Sequence, residues 1–353
     1  MIRIKGVRLR EVVRPLRTAF STSLGQKEHL HSVIVTVALD GGASGTGEVP
    51  TSLAFGGETV AVIRKVLHHA AGALRGSSID GYGEAVDRLR IAYPCAFMTI
   101  SGLEVALFRA LLAFRGVRES AHWGDRCPTI ETDITIPFLT DVRKLSRWID
   151  WTISQGFKTY KLKVSGNIGL DSAILSHLHR ALKERVPGFR LRLDGNQGYT
   201  TDAFLAMVRH IEREGMEIEL FEQPLPRDDL RGYEKIRTYG SIPIILDETI
   251  LGLPDARRAI ENNLCDGMNI KFAKSGLAES VKIAALAREN NMKLMIGCMT
   301  ETMVGLSAAI FFAAGTGFFD FVDLDGVHFL FGKNEWPGLT IDGPRFTITG
   351  SSP

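Results

Sequence analysis

Four charged residues recur at near-equal intervals through the middle of this chain: Asp194, Glu222, Asp247 and Lys271. Glu222 follows Asp194 by 28 positions, Asp247 follows by 25 more, and Lys271 by a further 24. Each closes a short apolar run: Leu193-Asp194, Phe221-Glu222, Leu246-Asp247 and Ile270-Lys271. A fifth run ends Tyr160-Lys161-Leu162-Lys163. A charge at the end of a buried run is costly unless it is paired or ligated. Any one of the acids could be a helix N-cap or an ion-pair partner. Three in register fit three hard oxygen donors for one ion, a set that suits Mg²⁺. Zinc is disfavoured, because there is neither H-E-x-x-H nor a Cys/His cluster.

The lysines suggest what such an ion would be for. Lys161 and Lys163 are two apart on a strand, so they share one face. If that face is solvated, they are a strand edge. If it is a confined interior, repulsion and desolvation should lower the pKa of at least one and make it a base. Lys271 lies four strands further on and would approach from the opposite wall. One lysine would remove an α-proton, the metal would stabilise the enediolate, and the other lysine would return a proton to the opposite face. The predicted reaction is epimerisation.

Such a ring needs a scaffold that ends many strands at one mouth. The intervals equal about one strand, one helix and two loops. From about Thr129, eight β-rich runs (130–136, 159–164, 190–194, 218–222, 244–247, 268–271, 294–296 and 321–323) alternate with seven amphipathic helical stretches. That alternation predicts a parallel sheet closed into a barrel, with catalytic groups at the C-terminal strand ends. The first third reads as α+β. Strands are expected over 2–12 and 32–39, with a turn at Asp40-Gly41-Gly42, and helices over 58–74, 83–91 and 100–114. The expected division is a capping domain over 1–123, a barrel over 124–326 and a C-terminal segment over 327–353. That last segment has strands near 339–341 and 346–348 and is expected to pack back on the cap.

Composition narrows the function classes. Of 353 residues, 45% are hydrophobic and 23% charged, so disorder is excluded. The net charge of +2 gives no reason to expect a nucleic-acid or membrane partner. The opening Met1-Ile-Arg-Ile-Lys-Gly lacks the apolar core of a secretory signal. Cys95, Cys127, Cys265 and Cys298 form no CxxC pair and are expected to be reduced thiols in a cytoplasmic protein. Gly41-Gly42-Ala43-Ser44-Gly45-Thr46-Gly47 fits no nucleotide-binding pattern.

Taken together, the motifs resemble the enolase superfamily, in its muconate-lactonizing-enzyme-like branch. The resemblance covers nearly the whole chain. It is carried by Gly45-x-Gly47-Glu48, Lys161-x-Lys163, Leu193-Asp194-Gly195-Asn196-Gln197-Gly198, Glu222-Gln223-Pro224, Asp247-Glu248 and Asn269-Ile270-Lys271. It implies an α/β fold, a (β/α)7β TIM-like barrel under an N-terminal α+β capping domain. It also implies Asp194, Glu222 and Asp247 as Mg²⁺ ligands and Lys163 and Lys271 as the paired acid/base catalysts. Lys161 would help hold the substrate carboxylate, and Glu248 would support the metal site.

Members of this branch include cycloisomerases, o-succinylbenzoate synthases, N-acylamino acid racemases and dipeptide epimerases. Asp323-Leu324-Asp325 matches the Asp-x-Asp of the dipeptide epimerases, where it receives the free α-ammonium. A turn acid before Gly326 is the plain alternative. By the same resemblance Cys298, Thr300 and Thr135 would line the dipeptide. A homo-oligomer acting on a small dipeptide is expected. The Ala-Glu epimerases carry an Arg in the cap loop that grips the glutamate side chain. Here the corresponding mobile loop, 20–28, has none. With Lys27 read as the ion-pair partner of adjacent Glu28, and with Phe20, Leu24 and Phe55 nearby, an apolar or uncharged second residue is expected.

Overall fold

Two long strands open the chain. In the computed structural model, which describes residues 2–239, 241–332 and 334–350, β1 (Ile4–Thr22) and β2 (Gly25–Leu39) form an antiparallel hairpin turning at Ser23-Leu24. The strand expected to stop near residue 12 runs ten residues further. Phe20 pairs with Lys27, Ser21 with Gln26 and Thr22 with Gly25. The expected loop is thus the tip of a β-ribbon. A register shift between Pro15 and Phe20 falls where proline removes a ladder donor, the usual place for a bend.

β3 (Ser44–Pro50) completes this sheet beside β2. Helices α1 (Val60–Leu74), α2 (Tyr82–Ala92) and α3 (Phe97–Arg115) cover it. α3 has the length and apolarity of a membrane span, yet 83% of that window is buried within the protein. It reaches β3 through glycines. A Cβ on Gly47 would lie 2.0 Å from the carbonyl oxygen of Gly102, and one on Gly45 would lie 2.1 Å from the nitrogen of Ala110. The glycines of the Gly45-x-Gly47 motif therefore exist for close backbone approach.

The barrel follows α4 (Glu119–Trp123) and β4 (Thr129–Glu131). Its strands are β5 (Ile134–Ile136), β6 (Thr159–Lys163), β7 (Arg190–Asp194), β8 (Leu220–Glu222), β9 (Ile244–Leu246), β10 (Gly267–Ile270), β11 (Lys293–Gly297) and β12 (Phe321–Asp323). All eight are parallel in sequence order, and a hydrogen bond from Asp133 N to Val322 O brings the first against the last. Helices α5 (Val142–Ser154), α6 (Ile168–Arg185), α7 (Thr201–Arg213), α8 (Leu230–Arg237), α9 (Leu253–Glu261), α10 (Phe272–Ser275), α11 (Leu277–Glu289) and α12 (Met303–Thr316) lie between the strands. The single run expected over 130–136 is two strands. β4 pairs antiparallel with β14 (Arg345–Ile348), itself joined to β13 (Leu339–Asp342), whereas β5 pairs with β6. The C-terminal strands thus extend the segment entering the barrel. Contact with β1 runs through Leu330, which bridges Leu16, and through Asn334, which accepts from Arg14.

Two cap carboxylates seal the cap to the barrel. Glu48 of β3 accepts from Thr302 N and Gly305 N at the start of α12. Glu104 of α3 accepts from Leu277 N and Ala278 N at the start of α11. Each answers amide donors that a helix cannot satisfy itself and places negative charge at the favourable dipole end. Because Gly47 sets how closely β3, and with it Glu48, approaches α3, Gly47→Ala should destabilise the protein by about 1–3 kcal/mol, the usual toll of overpacking. A urea melt checks this, and an unchanged midpoint would contradict the close approach.

Candidate active site

Strand register assembles the charged ring. Lys163 pairs with Asp194, and Asp194 with Glu222, on three adjacent strands. Asp247 and Lys271 follow the last residues of β9 and β10. Tight turns hold these ends: Asn196, Gln197 and Gln223 all have positive φ, at 38°, 70° and 34°. Such backbone is uncommon outside glycine and clusters at functional sites. Gln223 ties β8 to the turn after β9. Its Oε1 accepts from Asp247 N at 2.8 Å, and its Nε2 donates to Thr249 Oγ1 at 2.8 Å.

The three acids are all buried and converge. Lys161 Nζ spans two of them, at 3.0 Å from Glu222 and 3.8 Å from Asp194. Lys271 Nζ spans the next two, at 2.6 Å from Asp247 and 3.9 Å from Glu222. Lys163 Nζ donates to Asp194 at 2.5 Å. Lys161 also donates to Asp323. The lysines therefore share one interior, and the fall in pKa expected for at least one of Lys161 and Lys163 is not at Lys161. Burial pulls its ammonium down, and Asp323, Glu222 and Asp194 together outweigh that and hold it well above the ordinary lysine value. Lys271 is likewise raised, by Asp247 and Glu222 against desolvation. Asp247 and Asp194 are held low despite burial, by Lys271 and Lys274 in one case and by Lys163 and Lys161 in the other.

Lys274 was missed by sequence reasoning. It is buried beside Lys271, and its Nζ donates to Asp247 O at 2.5 Å and to Asp247 Oδ1 at 2.6 Å. Its signal was a lysine three residues past a strand-end lysine, which one helical turn brings back toward the same acid. Asn196 and Asn269 were also left without roles. Asn269 Nδ2 donates to Glu222 at 2.6 Å, and Asn196 Nδ2 to Glu248 at 3.2 Å.

The donor set fits a divalent cation on two further counts. Seven buried acids (Asp133, Asp194, Glu222, Asp247, Glu248, Asp323 and Asp325) face five buried cations (Lys161, Lys163, Arg192, Lys271 and Lys274). The acids outnumber the cations, which leaves the cleft able to accept added positive charge. Burial and then Asp247 and Asp194 push Glu248 up to about 8, and its Oε2 has no hydrogen-bond partner, like Oδ1 of Asn196 and of Asn269.

A second acid group lies where β5 meets β12. Oxygens of Asp133, Asp323 and Asp325 lie within 4.8 Å of one another. By proximity alone it rivals the strand-end ring as an ion site. Its fixed partners argue for a different cation. Arg192 donates to Asp133 at 2.7 Å, Lys161 to Asp323, and Thr135 N to Asp325 at 2.6 Å. Each of the three acids already holds a donor, and Arg192 is shared with Glu219 at 2.6 Å, so the group suits an ammonium that adds hydrogen bonds rather than a dication that would displace them.

These groups line one cleft. Its walls include Thr135, Lys161, Lys163, Asp247, Lys271, Cys298, Thr300, Asp323 and Asp325, so the sequence-predicted site residues meet there except Asp194 and Glu222, which lie beneath. Burial and the neighbouring Asp325 and Asp323 raise the Cys298 thiol well above its ordinary value, so it stays protonated. The hairpin forms the outer wall. Phe20, Thr22, Leu24 and Lys27 face the cleft, while Ala19, Ser21, Gln26 and Glu28 face a groove on the other side. Ser23 Oγ, at the tip, donates to Gly195 O and Asn196 O at 3.1 and 2.8 Å and docks the ribbon on the end of β7. The expected Lys27–Glu28 ion pair is corrected by this alternation, which turns adjacent residues to opposite faces. Lys27 instead donates to the carbonyl of Thr51.

Comparison with known proteins agrees with this geometry. Residues 144–346 match the enolase C-terminal domain-like family. A hydrophobic dipeptide epimerase of Citrifermentans bemidjiense is 32% identical over 96% of this chain and 93% of its own length. An L-Ala-D/L-Glu epimerase of Bacillus subtilis is 30% identical over 99% and 94%. A dipeptide epimerase of Enterococcus faecalis, solved with Mg and L-Leu-L-Tyr, superposes with a TM-score of 0.90 at 25% identity, covering 99% of this chain and 98% of its own. The barrel, its cap and its motifs place this chain in the enolase superfamily, in the muconate-lactonizing-enzyme-like branch.

Proposed function

We propose that this protein is a Mg²⁺-dependent dipeptide epimerase that moves the α-proton of the C-terminal residue between two lysines. The observation that carries the reading is the presence of opposed lysines and of the acids Asp323 and Asp325 in the walls of one cleft. Lys163 and Lys271 stand four strands apart in the eight-stranded barrel, on facing walls. A substrate carbon between them presents one face to each ammonium or amine. Either lysine can then take the proton while the other donates one. Lys161 neutralises the substrate carboxylate, and Asp323 and Asp325 receive the free α-ammonium, with Asp133 and Arg192 fixing the charge behind them. Thr135, Cys298 and Thr300 line the dipeptide backbone.

Asp194, Glu222 and Asp247 would hold Mg²⁺, with Glu248 and Asn196 supporting it. When bound, the ion supplies positive charge for the substrate carboxylate and for the electron density left as the α-proton departs. The same lysines would serve an o-succinylbenzoate synthase, an N-acylamino acid racemase or a cycloisomerase. Those substrates carry no free ammonium to meet Asp323 and Asp325, so the dipeptide reading is preferred.

Three measurements test this reading. Replacing Asp194, Glu222 or Asp247 by Ala should abolish turnover and weaken Mg²⁺ binding by more than the roughly 10–100-fold that outer partners of a metal site cost. Full activity of the wild type in excess chelator would exclude the metal. In D₂O, Lys163→Ala should lose α-proton exchange from one epimer and Lys271→Ala from the other, and normal epimerisation by Lys271→Ala would exclude the two-base scheme. For the ammonium, Asp323→Asn should lower kcat/KM by about one to two decades, from roughly 1.5–3 kcal/mol per charge-assisted contact. N-acetylated dipeptides should be poor substrates, and better turnover of N-acyl amino acids than of free dipeptides would favour the racemase.

A further inference from the structure

Each acid of the strand-end ring has its two oxygens held by donors of different kinds. Asp194 Oδ1 accepts from Asn196 N at 2.8 Å, and its Oδ2 from Lys163 Nζ at 2.5 Å. Glu222 Oε1 accepts from Asn269 Nδ2 at 2.6 Å, and its Oε2 from Lys161 Nζ at 3.0 Å. Asp247 Oδ1 accepts from Lys274 Nζ at 2.6 Å, and its Oδ2 from Lys271 Nζ at 2.6 Å. The second donor is in every case a lysine of the cleft wall. The first is a turn amide, a buried carboxamide or a buried lysine.

The two kinds differ in how far they can yield. Lys161, Lys163 and Lys271 end at the cleft. Lys274 is wholly enclosed, and its Nζ also donates to Asp247 O at 2.5 Å, so it is anchored on backbone as well as on carboxylate. Asn269 is equally enclosed and lies against Gly297 of β11, where a Cβ would come 2.7 Å from its Nδ2. Neither side chain has room to turn aside. Lys274 thus keeps a positive charge beside Asp247 Oδ1, which repels a dication from that oxygen. Asn269 occupies one oxygen of Glu222, and the turn amide occupies one of Asp194. What is left to a cation is one oxygen from each acid, with no chelating pair.

That arrangement separates two hard cations. Mg²⁺ takes about six oxygens at short, fixed distances and accepts single carboxylate oxygens beside waters and substrate. Ca²⁺ takes roughly six to eight and draws on both oxygens of a carboxylate to reach them. We propose that Lys274 and Asn269 are positioning residues that hold Asp247 and Glu222 to one oxygen each, and that this selects Mg²⁺ over Ca²⁺. The inference rests on the ligand set of the proposed function and not on the identity of the substrate.

The test measures affinity by displacement of Mn²⁺ from the full chain, read from the spin-resonance signal of the released ion, with Mg²⁺ or Ca²⁺ as competitor and no substrate. The wild type should prefer Mg²⁺ by about tenfold or more. Lys274→Met removes the ammonium and keeps the length of the side chain. Both metals should then bind more tightly, because a positive charge is gone, but Ca²⁺ should gain more. The preference should fall by about tenfold, the scale on which outer partners of a metal site act. Asn269→Leu should lower the preference in the same direction without a change of charge. A side chain that served packing alone would shift both metals together and leave their ratio unmoved. Thermal melts in excess chelator establish which variants are folded, and where one is not, the other and the wild type decide. A wild type without a preference for Mg²⁺, or an unmoved ratio in a folded variant, overturns the selection and leaves the ligand set intact. Mn²⁺ binding that is unchanged in Asp247→Ala overturns the ligand set as well.

Discussion

Opposite charges buried at the barrel mouth govern the rest of this structure. Carboxylates and ammoniums cannot be dehydrated singly, so each must find its partner at the moment the strands pair. Parallel register does this. Lys163, Asp194 and Glu222 are lateral neighbours on three strands, and a slip of one residue would turn all of them into the apolar layer behind. The packed interior and the charged mouth therefore specify the same alignment. That alignment also explains why Lys161 and Lys271 sit above ordinary lysine values: in a desolvated ring, the nearest acids outweigh burial.

A ring at a strand-end mouth also needs a roof, and the cap is attached through helix ends rather than through a broad apolar seam alone. Glu48 and Glu104 each answer two amides at the start of a barrel helix. Arg109 of α3 adds a guanidinium that donates to Val304 O at 2.6 Å and to Ser307 Oγ at 2.7 Å. These contacts are directional, so they fix the orientation of the cap and, through it, where the hairpin reaches the cleft.

Much of this was legible in the sequence because it repeats. The spacing of Asp194, Glu222, Asp247 and Lys271 carried the barrel, the ring and its facing walls. Features that depend on partners far along the chain were not legible. The split of residues 130–136 into β4 and β5 depends on β14, more than 200 positions away, and nothing local marks it. Lys274 belongs to no strand-end pattern, and Asp133 and Arg192 lie inside their runs rather than at the ends. The hairpin was misread because its Ser, Thr and Gly content resembles a loop, whereas its alternation becomes visible only against a paired strand.

That alternation has a consequence for how such enzymes diversify. The ribbon from Phe20 to Glu28 is a wall with two independent alphabets, one written toward the cleft and one toward the outside. Single exchanges on the inner set can retune which molecule is accepted without altering the outer surface, and the converse also holds. Gaining or losing one residue is a different event, because parity would swap the two sets at a stroke. Lineages of this ribbon should thus drift by replacement and change length only in steps that preserve parity.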